Sequence, residues 1–236
     1  MIRVDGLTDR VAVVTGAGRG IGQRIAEVLA ANGARVAVLD LEAPDHPDML
    51  GIACDVSDEA AVHGAFDSVE RELGVVSVLV LNAGIFPIVP FEDTTRELWD
   101  RTLAINLTGA FLCARRALPG MREQGYGRVI GIGSSAGKAG GARSVAAYAA
   151  SKAGLMTLMK SIANEYAQHG VTANALAPAL IDTPMVANIR DLVSRIPVGR
   201  FGTVDEVASL VAFLASEHAG YITGEVTDIN GGFLID

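Results

Sequence analysis

Short apolar runs alternate along the whole chain with longer stretches of helical spacing. The runs fall at residues 11–14, 35–39, 50–54, 77–81, 128–132, 172–177 and 226–229. The first, Val-Ala-Val-Val, is apolar on both faces, which suits a central strand of a parallel sheet covered on both sides. Between the runs, apolar positions recur at three and four residues. They predict a helix over 21–32 with Gly33 as its C-terminal cap, and one capped by Ser57 that runs to 73 with Asp58 and Glu59 in its first turn. A long helical region over 96–121 is interrupted by Asn106 and Gly109, another lies within 144–169, and Thr203-Val-Asp-Glu206 is a capping box opening a helix to 214. Two connections break the rhythm. Pro44 and Pro47 make a helix improbable over 41–48, so a loop should leave that face of the sheet partly uncovered. The stretch 179–200 has little periodicity and reads as a mobile lid. Strand and helix otherwise alternate with no linker and no repeat. The expected architecture is α/β: a single-domain doubly wound parallel sheet of about seven strands, helices on both faces.

Composition narrows the function classes. The 236 residues are half hydrophobic, enough for one large core. Net charge is -8 with no run of Lys or Arg, which argues against nucleic acid and against an anionic membrane surface. The most apolar stretch, 75–91, is broken by Asn82, Gly84, Pro87 and Pro90, so no membrane span is expected, and 1–10 lacks a signal-peptide core. Cys54 and Cys113 sit far apart in apolar surroundings and read as buried thiols of a cytoplasmic protein. His46, His63, His169 and His218 show no metal-ligand spacing, so no metal is expected.

The candidate chemistry gathers at the carboxyl ends of the strands, where doubly wound sheets bind ligands. After the first strand comes Thr15-Gly16-Ala17-Gly18-Arg19-Gly20-Ile21-Gly22, then a helix. Strand, glycine turn and helix present free N–H groups and a positive dipole end to a phosphate. The strict Gly-x-Gly-x-x-Gly spacing is not met, because Ile21 stands where the third glycine would fall. The second strand ends in Asp40, whose carboxylate can accept hydrogen bonds from both hydroxyls of an adenosine ribose. It would repel a 2′ phosphate, at about 4 kcal/mol per charge pair near 4 Å and an effective dielectric of 20. That favours NAD over NADP. Arg19 pulls the other way, since it can pair with a 2′ phosphate or equally lie on the adenine or in solvent. Asn82-Ala83-Gly84 follows the fourth strand and lets a flat ligand approach the backbone. Phe86, Pro87, Ile88 and Phe91 make an apolar loop that is either pocket wall or core. Asn106, inside an apolar helix, either bonds neighbouring backbone or holds a water. The fifth strand delivers Ser134 and Ser135, and the sixth ends at Pro178.

Tyr148 and Lys152 are four apart on a predicted helix and share one face. An ammonium beside a phenol favours the phenolate, which would bring the phenol's pKa down toward neutral and make it a general acid and base.

Taken together, Thr15-Gly-x-x-x-Gly20-x-Gly22, Asn82-Ala-Gly84, the helical Asn106, a serine before Tyr148-x-x-x-Lys152, and the stretch 178–185 resemble the short-chain dehydrogenases/reductases over essentially the full length. The resemblance, strongest to the 3-oxoacyl carrier-protein reductases, implies a Rossmann fold and an NAD(H)-dependent oxidoreductase interconverting a secondary alcohol and a ketone. It implies Tyr148 as the acid/base, Lys152 lowering its pKa and holding the nicotinamide ribose, Ser134 bonding the substrate oxygen, and Asn106 keeping a relay water. The family's Ser-x-x-Gly pattern ends at Gly137 and favours Ser134, whereas its commonest spacing to the tyrosine favours Ser135. Gly16, Arg19, Gly20, Ile21, Gly22, Asp40, Asp55, Val56, Asn82, Ala83 and Gly84 would line the cofactor, with Pro178, Ile181 and Thr183 at the nicotinamide. Ala179 replaces the family's usual glycine after Pro178. An NAD(P)H-dependent 3-oxoacyl carrier-protein reductase is the alternative, but Gly125 and His169 stand where basic residues would dock an acidic carrier. A nucleotide-binding sensor without turnover is a further reading, disfavoured because no catalytic residue is lost. Arg190 or Arg195 in the lid is expected to meet a carboxylate or phosphate on the substrate. The family is commonly tetrameric, and apolar helix faces around Ala114 and Met156 suggest subunit packing.

Overall fold

The computed structural model describes residues 2–141, 143–184 and 192–235. Seven parallel strands form one sheet in the order β3-β2-β1-β4-β5-β6-β7. They are β1 (Val11–Thr15), β2 (Arg35–Asp40), β3 (Leu50–Ala53), β4 (Val76–Leu81), β5 (Gly127–Ile132), β6 (Val171–Pro178) and β7 (Val226–Ile229). Strand order reverses between β1 and β4, whose pairing runs from Val11↔Val76 to Val14↔Val80. The carboxyl ends of β1 and β4 therefore flank a crevice. Alternate residues of each strand serve two cores. Val11, Val13, Leu79, Leu81 and Val129 pack under α2 (Glu59–Glu72), α4 (Gly109–Gln124) and α6 (Ala146–Tyr166). Ala12, Val14, Val78, Val80 and Ile130 pack under α1 (Gly20–Ala31) and α7 (Val204–Ala215). This is the expected doubly wound sheet, and it explains why the central strands are apolar on both faces.

Several local expectations are corrected. Asp58, not Ser57, caps α2: its carboxylate accepts from Ala60 N at 2.8 Å. Ser57 is already engaged, since its N and Oγ both donate to Asp55 Oδ1 at 2.9 and 2.7 Å, and that turn delays the helix by one residue. Ile88 and Phe91 are neither pocket wall nor core; both are exposed. Ala114 and Met156 are buried in this chain's own core, which gives the same apolar pattern as subunit packing would.

The proline-rich connection is a loop, and it lies on β3: a Cβ on Gly51 would run into the Pro44 backbone. β3 stays only partly covered. The region expected to be a lid falls partly outside the described residues. Within them, Ile181 bridges Gly202 and 192–195 form a short 3-10 turn. The capping box of α7 forms as read, with Glu206 N donating to Thr203 Oγ1 and Thr203 N to Glu206 Oε2. Among the described residues no helix is long and apolar enough to cross a membrane.

Candidate active site

The crevice begins where β1 ends. Thr15 Oγ1 accepts from Asn82 N and Ala83 N, both at 3.1 Å, while Asn82 Nδ2 donates to Thr15 O at 3.0 Å and to Gly16 O at 2.8 Å. One side-chain amide thus ties the exits of β1 and β4 together. The chain turns at Gly16, whose φ of +63° suits glycine. A Cβ on Gly22 would overlap the Gly16 carbonyl and lie 2.5 Å from Asn82 Nδ2, so the first turn of α1 packs against backbone. Arg19, exposed and extended, precedes α1 without a side-chain cap, and no acidic residue occupies the first turn. The leading N–H groups are left for an anion. The Cβ position of Gly20 meets nothing closer than Thr183 Cγ2 at 4.0 Å. Asp40 closes this end: its Oδ2 accepts from Gly18 N and its Oδ1 from Leu41 N, each at 2.8 Å. A glycine-lined helix start beside a strand-end carboxylate fits the pyrophosphate and ribose of a dinucleotide.

The other end is built around α6. Tyr148 meets Phe86 edge-on, with ring centroids 4.7 Å apart, and Ser134 lies near enough to its phenol to favour the ionised form. Ser134 precedes α5 (Ser135–Ala139), and its Oγ accepts from Ala136 N at 3.1 Å; Ser135 begins the helix itself. Of the two candidate serines, Ser134 is the one that faces the phenol. Lys152 is buried, and its Nζ donates to Ile132 O at 2.7 Å and lies 5.8 Å from the Tyr148 ring centroid.

The electrostatics correct the sequence reading. Burial raises the Tyr148 pKa, only partly offset by Ser134, and the same burial pushes Lys152 down to about 8. Both polar ends are withdrawn from water, so each charged form is disfavoured. The lysine is aimed at a carbonyl rather than the phenol oxygen, and desolvation outweighs the attraction expected between them.

Asn106 sits in a π turn (Ala104–Thr108) between α3 (Arg96–Leu103) and α4. It bonds backbone, one of the two outcomes left open: Oδ1 accepts from Ile85 N at 2.8 Å, and Nδ2 donates to Ile85 O and Ser151 Oγ, both at 3.0 Å. Ser151 Oγ in turn donates to Tyr148 O at 2.7 Å. The tie made by Thr15 and the bond through Ser151 have no counterpart in the sequence reading, whereas Phe86 is the pocket wall that its apolar loop allowed. Ser151 had a signal, as a serine one turn after Tyr148's predecessor on the same helix; Phe86 had only its place in an apolar loop.

One cleft of about 320 Å³ joins both ends. Ile21, Asn82, Gly84, Ser134, Tyr148, Lys152, Pro178, Ile181 and Thr183 line it. Gly16, Arg19, Gly20, Gly22, Asp40 and Ala83 do not line it, and Asn106 stands behind Gly84, whose Cβ would lie 3.1 Å from Asn106 Oδ1. Two expected contacts are not brought in by their side chains. Asp55 turns its carboxylate onto Ser57, and Val56 is buried against Gly109. Among the described residues no cluster of His, Cys, Asp or Glu is arranged to hold a metal.

Comparison with known proteins agrees with this geometry. A family model described as enoyl-(acyl carrier protein) reductase matches residues 16–234. The 3-oxoacyl-[acyl-carrier-protein] reductase MabA of Mycobacterium tuberculosis is 43% identical over 228 residues, covering 94% of this chain and 92% of that protein. The 3-oxoacyl-[acyl-carrier-protein] reductase FabG of Escherichia coli is 39% identical over 236 residues, covering 94% and 96%. An uncharacterized short-chain type dehydrogenase/reductase, y4mP of Sinorhizobium fredii, is 37% identical over 250 residues, covering 97% and 99%. The chain belongs to the short-chain dehydrogenase/reductase family, on its 3-oxoacyl-reductase-like branch, as an oxidoreductase acting on CH–OH groups.

Proposed function

We propose that this protein is an NAD(H)-dependent oxidoreductase interconverting a secondary alcohol and a ketone, with Tyr148 as the general acid/base. The observation that carries the reading is the meeting of Tyr148, Ser134 and Lys152 in one cleft with the glycine turn. Gly16, Gly20, Gly22 and the start of α1 receive the pyrophosphate, with Arg19 beside it. Asp40 receives the adenosine ribose, and the backbone of Asp55 and Val56 borders the adenine. Ile21, Asn82, Ala83, Gly84, Pro178, Ile181 and Thr183 surround the nicotinamide half. When bound, the dinucleotide supplies or accepts the hydride. Ser134 and Tyr148 donate hydrogen bonds to the ketone oxygen, and Tyr148 delivers its proton to that oxygen as the alcohol forms. Burial keeps the phenol protonated, the state that reduction requires. Lys152, with its pKa pushed down to about 8, returns a proton to Tyr148 near neutral pH. Asn106 orients α6 through Ser151.

NAD rather than NADP follows from Asp40, which places negative charge at the ribose 2′ position. Steady-state rates with NADH and NADPH over a ketone panel test it: at least a tenfold preference for NADH is expected, and a preference for NADPH refutes the cofactor assignment. Tyr148→Phe should lower kcat by about 10²–10⁴; near-full activity would refute the mechanism.

The names of the relatives favour a second reading, a 3-oxoacyl carrier-protein reductase. Against carrier docking stand Gly125 at the end of α4, His169 after α6 and the net charge of -8. Reduction of an acetoacetyl thioester on a carrier protein, compared with the same thioester free, separates the two. We further infer one catalytic domain, a homotetramer by family resemblance and a cytoplasmic location, where Cys54 and Cys113 stay reduced. Sedimentation velocity tests the assembly.

A further inference from the structure

The cleft carries one charged side chain that the chemistry above leaves unused. Its outer wall is apolar, made by Phe86, Val145, Leu192 and Phe233. Among the described residues, the charged groups that line it are Lys152 and Arg195, and no carboxylate does, although the chain holds 27 acidic residues. Lys152 is buried at the reacting end and bonded to Ile132 O. Arg195 is exposed at the open end, its guanidinium carbon 5.2 Å from the centre of the Phe233 ring. Other arginines are tied to carboxylates, as in Arg24–Asp205, Arg116–Glu70 and Arg200–Glu206. Arg195 has no such partner among the described residues; the aromatic face is its contact.

That contact is held from both sides. Ile196, next in the chain, is buried. Val198 N donates to Gly231 O at 3.1 Å, and a Cβ on Gly232 would lie 3.0 Å from Pro197. Phe233 N donates to Asn230 O at 3.0 Å, so the turn carrying the ring is packed on the segment carrying the arginine. A guanidinium resting on a ring keeps its N–H fork free and has already given up much of its rotamer freedom. Planar and anionic oxygens are the ligands such a fork meets best.

We propose that Arg195, seated on Phe233, is a specificity-determining residue that recognises an anionic group, a carboxylate or a phosphate, on the end of the substrate remote from the reacting carbon. An apolar spacer lies along Phe86, Val145 and Leu192 between the two. The orientation rests on the reading of Tyr148 as the reacting end.

The test pairs substrates that differ in the anion alone. One pair is a short oxo acid and its methyl ester; the other is the acetoacetyl thioester of 4′-phosphopantetheine and that of pantetheine, which lacks the phosphate. The first reports a carboxylate, the second a phosphate. In the pair with the matching anion, Arg195→Ala should lower the ratio of kcat/KM, charged over neutral, about tenfold or more through KM. Arg195→Lys should keep part of that ratio, because it retains charge without the fork. A ratio unchanged within about twofold in both pairs overturns the proposal, as does a rise in KM for the dinucleotide in place of the substrate. If no ketone turns over, calorimetric titration of hexanoate, hexanamide and coenzyme A into the protein with NAD still decides. Binding of an anion that Arg195→Ala removes would sustain the proposal while the catalytic reading falls. Binding that ignores residue 195 would end it.

Discussion

At the β2 end of the crevice the wall is main chain. Gly16, Gly18 and Gly22 bring backbone to within contact of Ala83, Asp40 and Asn82, and Asp40 spends both oxygens on backbone amides. At the α6 end the wall is side chain: Tyr148 against Ser134 and Phe86, Lys152 reaching Ile132, Arg195 lying on Phe233. Apart from the Asp40 carboxylate, the first surface has amides and little else to offer, so it suits the phosphates and ribose hydroxyls that dinucleotides share, and Asp40 alone bears on the 2′ position. The second can change residue by residue without touching the strands beneath it. The difference separates a backbone surface shaped for a dinucleotide from a side-chain surface that gathers Tyr148, Ser134 and Lys152 and, farther out, Arg195.

The main-chain end should be the more brittle. Gly22→Ala places a methyl group against the Gly16 carbonyl and Asn82, neither of which can yield without breaking the β1–β4 tie. Dinucleotide affinity, measured by fluorescence titration, should fall by about 100-fold or more, with a loss of stability of several kcal/mol. A variant that binds normally would break the comparison.

The side-chain end should show itself in pH. Lys152 has a pKa of about 8 in the folded chain against 10.5 as the ordinary value. Below pH 8 both states carry the proton and the burial penalty is felt in full. Between 8 and 10.5 the unfolded chain binds more protons, so stability rises with pH. The gain is up to about 3 kcal/mol, read by urea unfolding across that window, and Lys152→Met should flatten it. The raised Tyr148 pKa acts in the opposite sense, and only above 10.

Asp40→Ser tests whether charge or backbone sets cofactor preference. Removing the carboxylate should raise the kcat/KM ratio of NADPH to NADH by about tenfold, an effect of about 1.4 kcal/mol. An unchanged ratio would place the preference in the backbone instead. Smallest of all, Phe91→Ser lies outside both ends of the crevice. Its ring is 77% exposed, and the melting free energy should move by less than about 0.5 kcal/mol.

The main-chain end was also the more legible in sequence. Strand, glycine turn, helix and Asp40 are contiguous over 11–40, so their spacing carries their geometry. All seven strands fall within a residue of their expected bounds at each end, and for β1, β4, β5 and β6 the reason is that strands buried on both faces have an unbroken apolar pattern. The α6 end was legible only in part. The one-turn spacing of Tyr148 and Lys152 placed both in the cleft, but not the direction of their pKa shifts. Those depend on burial, which segments far away in the chain, such as the one carrying Phe86, help to impose. The cap of α2 was misread by one residue because Asp55 competes for Ser57. Ile88 and Phe91 were misread because an apolar loop residue has no period to show which way it faces.

The π turn at Asn106 has a cost that only a change of chain length would reveal. A regular helix turns about 100° per residue. The π turn holds one residue more than a regular turn, so a deletion within 104–108 would close it to regular helix and leave α4 in register, whereas the same deletion inside α4 would rotate all that follows by that angle. What the shorter turn would lose is the seat of Asn106 on Ile85 and Ser151, so this is the place in the helix where a gap should spare the packing and cost the hydrogen-bond hub.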